Sequence, residues 1–321
     1  MTRIESYDII LVIEINRHGV RYKFKNIINK KENDMERIRL MTHNVWNHDG
    51  NDQRWEARGE DCSAQARVGG LLRVYEDTMP DVIGGQEFTS LMADLVKEGL
   101  DKGQGHYTLI WGRFTPIYYR SDKLELLDSE FVTYPENMEG FEGKFNDVRS
   151  KSFSLAVFRV KSSGKVFVFA TTHLWWKKSP PDESYLTKHG YQIGSDEARQ
   201  LQISIVADAI KKYREKYDCP AVVVGDMNSH YDTPAMSYLR EQGYRHARYI
   251  ATEYAEEAVG YHYCFADKYE TYYYDRPFEM AIDHMYVIGE EEGSVKRFER
   301  YSPEYYLPIS DHSPAYIDWE L

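Results

Sequence analysis

Cysteine is scarce in this chain, and long apolar runs are missing. The 321 residues include 3 cysteines, Cys62, Cys219 and Cys264, which are far apart and show no metal-ligand spacing. This usage predicts free thiols in a reducing compartment, and hence a cytoplasmic location, rather than a disulfide framework. No apolar stretch approaches the ~20 residues that a membrane-spanning helix needs, so no membrane span is predicted.

The chain also lacks an excess of basic residues. It has 52 acidic and 40 basic side chains, and its formal net charge is -12. Tight, sequence-independent binding of long duplex DNA depends on Lys and Arg that neutralise phosphates, so no strong basic surface for duplex DNA is expected. An acidic chain remains compatible with a small phosphorylated substrate, a nucleic-acid end or a divalent cation.

No linker rich in Pro, Ser or Gly divides residues 35–321, and no internal repeat is visible, so these residues are predicted to form one domain. Residues 1–34 differ: they are rich in Ile, Asn, Lys, Tyr and Phe, and their periodicity is weak. They are interpreted as an N-terminal extension that is disordered or not native, with Met35 as the true start. An extra strand at residues 8–13 is the alternative interpretation.

Strands and helices alternate after Met35. Amphipathic periodicity predicts helices at residues 56–78, 90–99, 195–217 and 234–241. Apolar alternation predicts strands at 37–46, 82–87, 107–111, 117–120, 123–132, 153–161, 165–172, 220–225, 281–288 and 314–319. The strands cluster in two groups, each accompanied by helices, as expected for two packed sheets with helices outside.

The most informative motif is the run from Val222 to Asn228. An apolar strand ends in Gly225, and Asp226 and Asn228 follow two positions apart. Residues at i and i+2 of an extended chain point the same way, so these two side chains are expected side by side at a strand end. One can hold or deprotonate a water, and the other can donate a hydrogen bond to an anion.

Six places share this pattern, in which polar groups end or follow an apolar run. Carboxylates and imidazoles gathered on one rim require a cation or a phosphate to balance them. The six are Thr42-His43-Asn44-Val45, Ile83-Gly84-Gly85-Gln86-Glu87, Thr171-Thr172-His173-Leu174, Gly225-Asp226-Met227-Asn228, Ala281-Ile282-Asp283-His284 and Ser310-Asp311-His312-Ser313.

In this set of motifs, and in their order, residues 36–321 resemble the endonuclease/exonuclease/phosphatase superfamily, the deoxyribonuclease-I-like phosphoesterases. The resemblance implies an α/β four-layer sandwich, with two mainly antiparallel β-sheets packed face to face and helices on the outside. It implies an Mg²⁺- or Mn²⁺-dependent hydrolase in which an activated water attacks a phosphodiester or phosphomonoester in line. The substrate, the number of metal ions and the oligomeric state stay open.

The resemblance also implies roles for individual residues. Glu87 and Asn44 correspond to metal ligands, and Asp311 to a position that contacts metal or water. Asp226 corresponds to the group that positions or deprotonates the attacking water, with Asn228 as a phosphate contact beside it. The imidazole of His312, oriented by Asp283, lies at the scissile phosphate, and His173 binds phosphate or acts as general acid. The neighbouring His43 and His284 are given no catalytic role.

Two segments are predicted to set specificity. Trp175 and Trp176 follow His173 and are candidates for stacking on a sugar or base. A tyrosine-rich segment, Tyr261–Tyr274, offers similar walls, with packing as its alternative. Arg120 and Arg149 are candidates for binding a second phosphate, with surface salt bridges as the alternative.

Three classes of function remain from the sequence. The first is a phosphoesterase acting on a small phosphorylated molecule. The second is a nuclease or deadenylase-like enzyme acting on single-stranded nucleic acid ends, and the third is a non-catalytic protein that binds a phosphorylated ligand. Loss of catalysis usually removes metal or histidine positions, and here Glu87, Asp226, Asn228, Asp283 and His312 are all present.

Overall fold

The computed structural model describes the backbone of residues 9–16, 19–26, 37–57, 59–103, 106–254, 260–263, 272–275, 281–301, 303–306 and 309–321. Side chains are described from residue 37 onward, except at residues 54, 254 and 304 and in the two strands between residues 260 and 275. Two units are distinguished, Met1–Glu36 and Arg37–Leu321.

In the first unit, β1 (Ile9–Asn16) pairs antiparallel with β2 (Gly19–Asn26). The strand considered at residues 8–13 is therefore present, and it is longer than expected and paired with a second strand. The native start at Met35 stays a prediction.

The second unit contains the elements that carry the candidate site residues. Its helices are α1 (Gln53–Glu56), α2 (Ala64–Thr78), α3 (Ser90–Lys102), α4 (Ser195–Tyr217), α5 (Pro234–Glu241) and α6 (Ala247–Ile250). Its strands are β3 (Arg37–Asn44), β4 (Val82–Gln86), β5 (Tyr107–Ile110), β6 (Ile117–Arg120), β7 (Leu124–Thr133), β8 (Ser152–Val160), β9 (Val166–His173), β10 (Ala221–Asp226), β11 (Arg245–His246), β12 (Glu253–Tyr254), β13 (Gly260–Tyr263), β14 (Tyr272–Asp275), β15 (Asp283–Ile288), β16 (Val295–Arg300) and β17 (Ala315–Glu320).

Apart from β13 and β14, which pair with each other, the described strands of this unit form two large sheets. One has six strands in the order β11-β15-β10-β9-β8-β7, and the other has seven in the order β12-β16-β17-β3-β4-β6-β5. Most neighbouring strands run antiparallel, and the parallel pairs are β9 with β10, β3 with β4 and β12 with β16. The predicted pair of mainly antiparallel sheets is confirmed.

Alternating side chains pack the four layers together. On β10, Val222 and Val224 lie in the core between the two sheets, whereas Val223 faces the helices outside. Successive residues of a strand point to opposite faces, so an unbroken apolar run is what a strand buried on both sides requires. Helices α4 and α5 cover the outer face of the six-stranded sheet, and α2 and α3 cover that of the seven-stranded sheet. The predicted four-layer sandwich is confirmed.

Three elements differ from the sequence predictions or lie partly outside the described residues. The single helix predicted over 56–78 is wrong in its first part: α1 ends at Glu56, and α2 begins after Ser63, whose side chain caps it by accepting from Ala66 N. Strand β16 was missed because its sequence is largely charged, as expected for a half-exposed strand. The tyrosine side chains of 261–274 lie outside the described residues, where only the backbones of β13 and β14 are given.

The described helices include none that is both apolar and long enough to cross a membrane.

Candidate active site

Strand register brings the polar strand ends to one rim. Asp226, the last residue of β10, pairs with His173 at the end of β9 and with Asp283 at the start of β15. In the facing sheet, Asn44 at the end of β3 pairs with Gln86, which precedes Glu87. The sequence predicted that these groups lie near one another, and the pairing places them on neighbouring strands.

Asp226 lies at the centre of this cluster. Its Oδ2 accepts a hydrogen bond from Asn44 Nδ2 at 3.0 Å, and it lies 3.4 Å from His173 Nε2 and 3.8 Å from His312 Nε2. Its Oδ1 accepts from the backbone N–H of Asn228 at 2.9 Å. Burial raises the pKa of Asp226 to about 7, although the nearby His312 acts in the opposite direction. A carboxyl group with such a pKa can exchange a proton near neutral pH.

His312 and Asp283 form a buried ion pair. His312 Nδ1 donates to Asp283 Oδ2 at 2.8 Å, and Arg300 Nη1 lies 3.8 Å from the same oxygen. Burial by itself lowers the pKa of His312. The negative charges of Asp283 and Asp226 have the larger combined effect and hold this pKa well above its ordinary value. Burial likewise opposes ionisation of Asp283, yet His312 and Arg300 lower its pKa. The imidazole is therefore a cation whose Nε2 faces Asp226.

Asp311 and Glu87 supply further carboxylate oxygens. Asp311 Oδ1 is buried and has no hydrogen-bond partner among the described residues. Burial raises the pKa of Asp311 to about 6, and the charge of Glu87 adds to this. Glu87 follows β4 with a φ of 61° and accepts from Asn47 N at 2.8 Å. Such a φ is uncommon for a residue other than glycine and turns the side chain sharply out of the strand direction.

These donors fit a hard divalent cation. One atom each from Glu87, His173 and Asp226 lie within 4.8 Å of one another, and the same holds for Asp226, Asp283 and His312. Mg²⁺ and Mn²⁺ prefer oxygen ligands, and a buried carboxylate oxygen without a partner is costly unless a cation or donor satisfies it. Asp311 provides such an oxygen, and Glu87 adds a partly exposed carboxylate that accepts from Asn47 N. Asn44 turns its amide nitrogen toward Asp226, while its oxygen accepts from Trp46 N.

Lys151 is a member of the cluster that sequence reasoning missed. Its Nζ lies 2.6 Å from His173 Nε2, and both side chains are buried. Strands β8 and β9 pair antiparallel with Ser152 opposite His173, so the residue before Ser152 falls next to that histidine. The Ser-Ser-Gly sequence at residues 162–164 favours a tight hairpin turn between these two strands, and counting the register back from this turn would have identified Lys151.

Asn228 is engaged within its own turn. It has a φ of 47°, and its Nδ2 donates to the carbonyl oxygen of Leu174 at 3.0 Å. This bond ties the segment after β10 to the segment after β9. A phosphate contact by Asn228 stays a prediction.

The predicted substrate-binding residues do not all reach the rim. Trp175 has 0% of its surface exposed and packs against Phe145 and Ala198, so its ring offers no stacking face in this arrangement. Trp176 is partly exposed, and its Nε1 donates to Asp147 Oδ2 at 2.7 Å. Arg149 is exposed, two positions before Lys151.

Arg120 lies at the opposite end of its sheet. Strand β6 runs antiparallel to β4, so its last residue falls beside the start of β4 rather than beside Glu87. There Arg120 Nη2 pairs with Asp122 at 2.6 Å, and Nη1 lies 3.9 Å from Asp81. This is the surface salt-bridge alternative considered from the sequence.

Solved structures share this fold. An endonuclease/exonuclease/phosphatase from Bacteroides vulgatus has a TM-score of 0.66 and 22% identity, over 89% of this chain and 99% of that chain. A mannosyl-6-phosphatase from Bacteroides thetaiotaomicron has a TM-score of 0.64 and 18% identity, over 87% and 98%. TDP2 from D. rerio, complexed with single strand DNA product, has a TM-score of 0.56 and 16% identity, over 89% and 100%. At such identities the likeness establishes the fold alone.

No curated protein matches the sequence significantly. The profile of the Endonuclease/Exonuclease/phosphatase family, in contrast, matches residues 41–312, which include every cluster residue named above. The chain therefore belongs to the endonuclease/exonuclease/phosphatase family.

Proposed function

We propose that the protein is a metal-dependent phosphoesterase that hydrolyses its substrate by in-line attack of water. One observation carries the proposal: the carboxylate of Asp226 lies within 4 Å of two imidazoles, one of them a cation held by Asp283. Asp311, the residue before His312, adds a buried oxygen that has no hydrogen-bond partner among the described residues. Membership of a family of phosphoesterases that use divalent metal ions supports the same conclusion.

The residues divide the chemistry between them. Glu87 and Asp311 would hold Mg²⁺ or Mn²⁺ with Asn44 beside them, and the bound ion would offset the charge of the phosphoryl oxygens. Ionised Asp226 would orient the attacking water and accept its proton. The His312 cation, oriented by Asp283, would stabilise the charge that develops on the phosphoryl group and can donate a proton to the leaving oxygen.

His173 and Lys151 complete the phosphate side of the site. The pKa of His173 lies well below its ordinary value because of burial and because of the charge of Lys151. A neutral His173 accepts a hydrogen bond from the Lys151 ammonium group, so Lys151 supplies the positive charge at this position. We propose that this charge faces a phosphate oxygen of the substrate.

The substrate is a phosphate ester on a small molecule or on a single-stranded nucleic acid end. Proteins of this fold include one named for a mannosyl phosphate and one complexed with single strand DNA product, so both classes are chemically accessible to it. Cys62 and Cys219 are unbonded and buried, which supports the proposal of a reducing compartment such as the cytoplasm.

Hydrolysis of bis-p-nitrophenyl phosphate and p-nitrophenyl phosphate tests the proposal. Release is expected with Mg²⁺ or Mn²⁺ and not with EDTA, and Asp226→Asn and His312→Gln are each expected to lower kcat by at least about 10³-fold. Glu215→Gln, on the exposed surface of α4, is the matched control and should keep full activity. The ratio of diester to monoester turnover selects the substrate class. Undiminished turnover in Asp226→Asn, or none in folded wild-type protein on either compound or on oligonucleotides, would overturn the proposal.

A further inference from the structure

A buried arginine lies beneath the candidate active site and has not been assigned a role. Arg67 belongs to the first turns of α2, and 1% of its surface is exposed. All five N–H groups of its guanidinium group donate to backbone carbonyl oxygens. The acceptors are Cys62 (2.9 Å from Nε), Val45 and Ile309 (2.6 and 2.8 Å from Nη1), and Trp46 and His48 (3.2 and 2.5 Å from Nη2).

Four of these acceptors belong to two loops that carry the cluster. Residues 45–48 directly follow Asn44, and the N–H of Asn47 in this loop donates to Glu87 Oε2 at 2.8 Å. Ile309 directly precedes Ser310, Asp311 and His312. The two loops meet above Arg67, where Ser310 Oγ donates to the carbonyl oxygen of Asn44 at 2.8 Å. One side chain thus connects the segment of Asn44 and Glu87 with the segment of Asp311 and His312.

Within the described part of the chain, the recorded hydrogen bonds of the Arg67 guanidinium group go to neutral carbonyl oxygens and not to a carboxylate. A buried cation is costly unless its donors are satisfied, and here neutral carbonyl dipoles satisfy all of them. The ring of Trp46 adds a cation–π contact, with its centroid 5.0 Å from the guanidinium carbon.

This arrangement requires arginine. The guanidinium group offers five donors in a fixed plane, whereas the ammonium group of lysine offers three on a flexible stem. The three donors of a lysine ammonium group could satisfy at most three of the five carbonyl groups, so at least two of them would be left without this partner.

We propose that Arg67 is a positioning residue for the phosphoester hydrolysis proposed above, on which this inference rests. By holding both loops in one plane of hydrogen bonds, it sets the separation between the oxygens of Asn44 and Glu87 and the groups of Asp311 and His312. Catalysis depends on such separations, because reacting groups must stay in near-attack geometry.

Kinetic measurements on Arg67→Lys test the proposal against a matched control, Arg39→Lys. Arg39 is partly buried, and its Nε and Nη2 donate to the two carboxylate oxygens of Asp318 at 2.7 and 2.9 Å. It lies near the start of β3, away from the rim. Both variants are expected to lose thermal stability. Arg67→Lys should also lower kcat by roughly 10- to 100-fold with little change in KM, whereas Arg39→Lys should keep the wild-type kcat.

A second variant separates positioning from stability. In Arg67→Ala, millimolar guanidinium chloride is expected to raise kcat several-fold, and the same concentration of urea should leave kcat unchanged. A kcat of Arg67→Lys equal to that of Arg39→Lys at equal loss of stability would reduce Arg67 to a purely structural role and overturn the proposal.

Hydrogen exchange supplies a readout that needs no activity. Arg67→Lys should speed amide exchange in peptides covering residues 45–48 and 309–313, and Arg39→Lys should leave both slow. Unchanged exchange in both loops would refute the coupling of the loops. Faster exchange in a protein that hydrolyses no phosphoester would instead refute the proposed function, and the positioning role with it, while retaining the link between the loops.

Discussion

A buried amine beside a buried imidazole raises the question of which group carries the proton. Lys151 and His173 are both buried, and burial is the largest cause that lowers the pKa of each from ordinary values of 10.5 and 6.5. Lysine keeps the proton because it starts from the higher value and because Glu87 and Asp226 favour its charged form. His173 then acts as a hydrogen-bond acceptor, and this supports the proposal that His312, rather than His173, is the general acid.

Replacement of Lys151 tests this division of charge. Lys151→Met should raise the pKa of His173, because the repelling cation is gone and Glu87 and Asp226 remain within 4 Å. NMR titration of the histidine Cε1–H signals would measure this shift. The same variant should lower kcat/KM by roughly 100-fold, since one preorganised charge at the phosphate is lost.

Lys178→Met serves as the control, because Lys178 is an exposed lysine in the segment after His173. An unchanged His173 titration in Lys151→Met would contradict the assignment of the proton to lysine.

At the scale of elements, the close approach of the backbones of β9 and β10 at the end of β10 determines where Asp226 lies. Gly225 has a φ of 149°, and a Cβ at this position would lie 2.0 Å from the carbonyl oxygen of Thr172. Only glycine lets the two backbones approach so closely while the following residue turns into the cluster. The glycine before Asp226 is therefore part of the site geometry as well as of the sheet.

Gly225→Ala is expected to destabilise the protein by roughly 2–5 kcal/mol, through backbone strain and the clash with β9. It should also abolish activity under conditions where the variant is folded, because Asp226 is displaced from His173 and His312. Urea unfolding and turnover of the nitrophenyl esters measure the two effects.

Gly164→Ala is the paired control. Gly164 also has a positive φ, of 76°, but open space surrounds its Cβ position in the β8–β9 turn. The expected loss is about 1 kcal/mol with unchanged kcat. Equal activity in the two variants would show that the close approach at Gly225 does not position Asp226.

At the scale of the whole molecule, three histidines of the described residues are buried in their neutral form in addition to His173. His43 lies between Tyr75 and Tyr306, at 2.9 and 2.5 Å, and Tyr306 donates onward to the carbonyl oxygen of His312. His246 donates to His284, which donates to the carbonyl oxygen of Ser229. His43 adjoins Asn44 and His284 adjoins Asp283 in sequence, yet their hydrogen bonds lead to tyrosines, His246 and backbone carbonyl groups. The interpretation of His43 and His284 as non-catalytic is consistent with these contacts.

Burial lowers the pKa of His43 to about 3, from 6.5 in the unfolded chain. Its contribution to stability is therefore complete above pH 6.5 and is lost as the pH falls toward 3, because the unfolded chain takes up the proton first. Near pH 4, uptake of this proton by the unfolded chain lowers the free energy of unfolding by about 3 kcal/mol relative to neutral pH. His43→Gln should reduce stability at neutral pH, where two tyrosine hydrogen bonds are lost, and should flatten the fall toward acid.

Urea unfolding at neutral and at mildly acidic pH measures this slope. His106→Gln, at an exposed histidine, is the control and should keep the wild-type slope. An acid slope in His43→Gln as steep as in the wild type would refute the assignment of proton uptake to His43.

Much of the fold and of the candidate site could be predicted because it depends on local pattern. The helix predicted at 195–217 is α4 with the same bounds, since its apolar period and its flanking glycine are written in consecutive residues. The polar groups that end strands, among them Asn44, His173 and Asp226, were found because a carboxylate, amide or imidazole after an apolar run is visible in one segment.

Other features could not be predicted, because they depend on which segments become neighbours. Lys151 becomes part of the cluster through the register of β8 on β9, and Arg67 reaches carbonyl groups on both sides of the rim from a helix. Trp175 and Arg120 show the reverse case. Their residue types suit ligand binding, but packing buries the first, and the antiparallel direction of β6 carries the second to the far end of the sheet.

The sequence by itself determined the layers of this protein and the chemical types that end its strands, because burial and strand period act along the chain. Only the tertiary structure determines which of those groups form hydrogen bonds and ion pairs with one another. Such decisions rest on distances of a few ångströms between residues far apart in sequence, and in the buried rim around Asp226 these distances, rather than residue type, set the charge of each group.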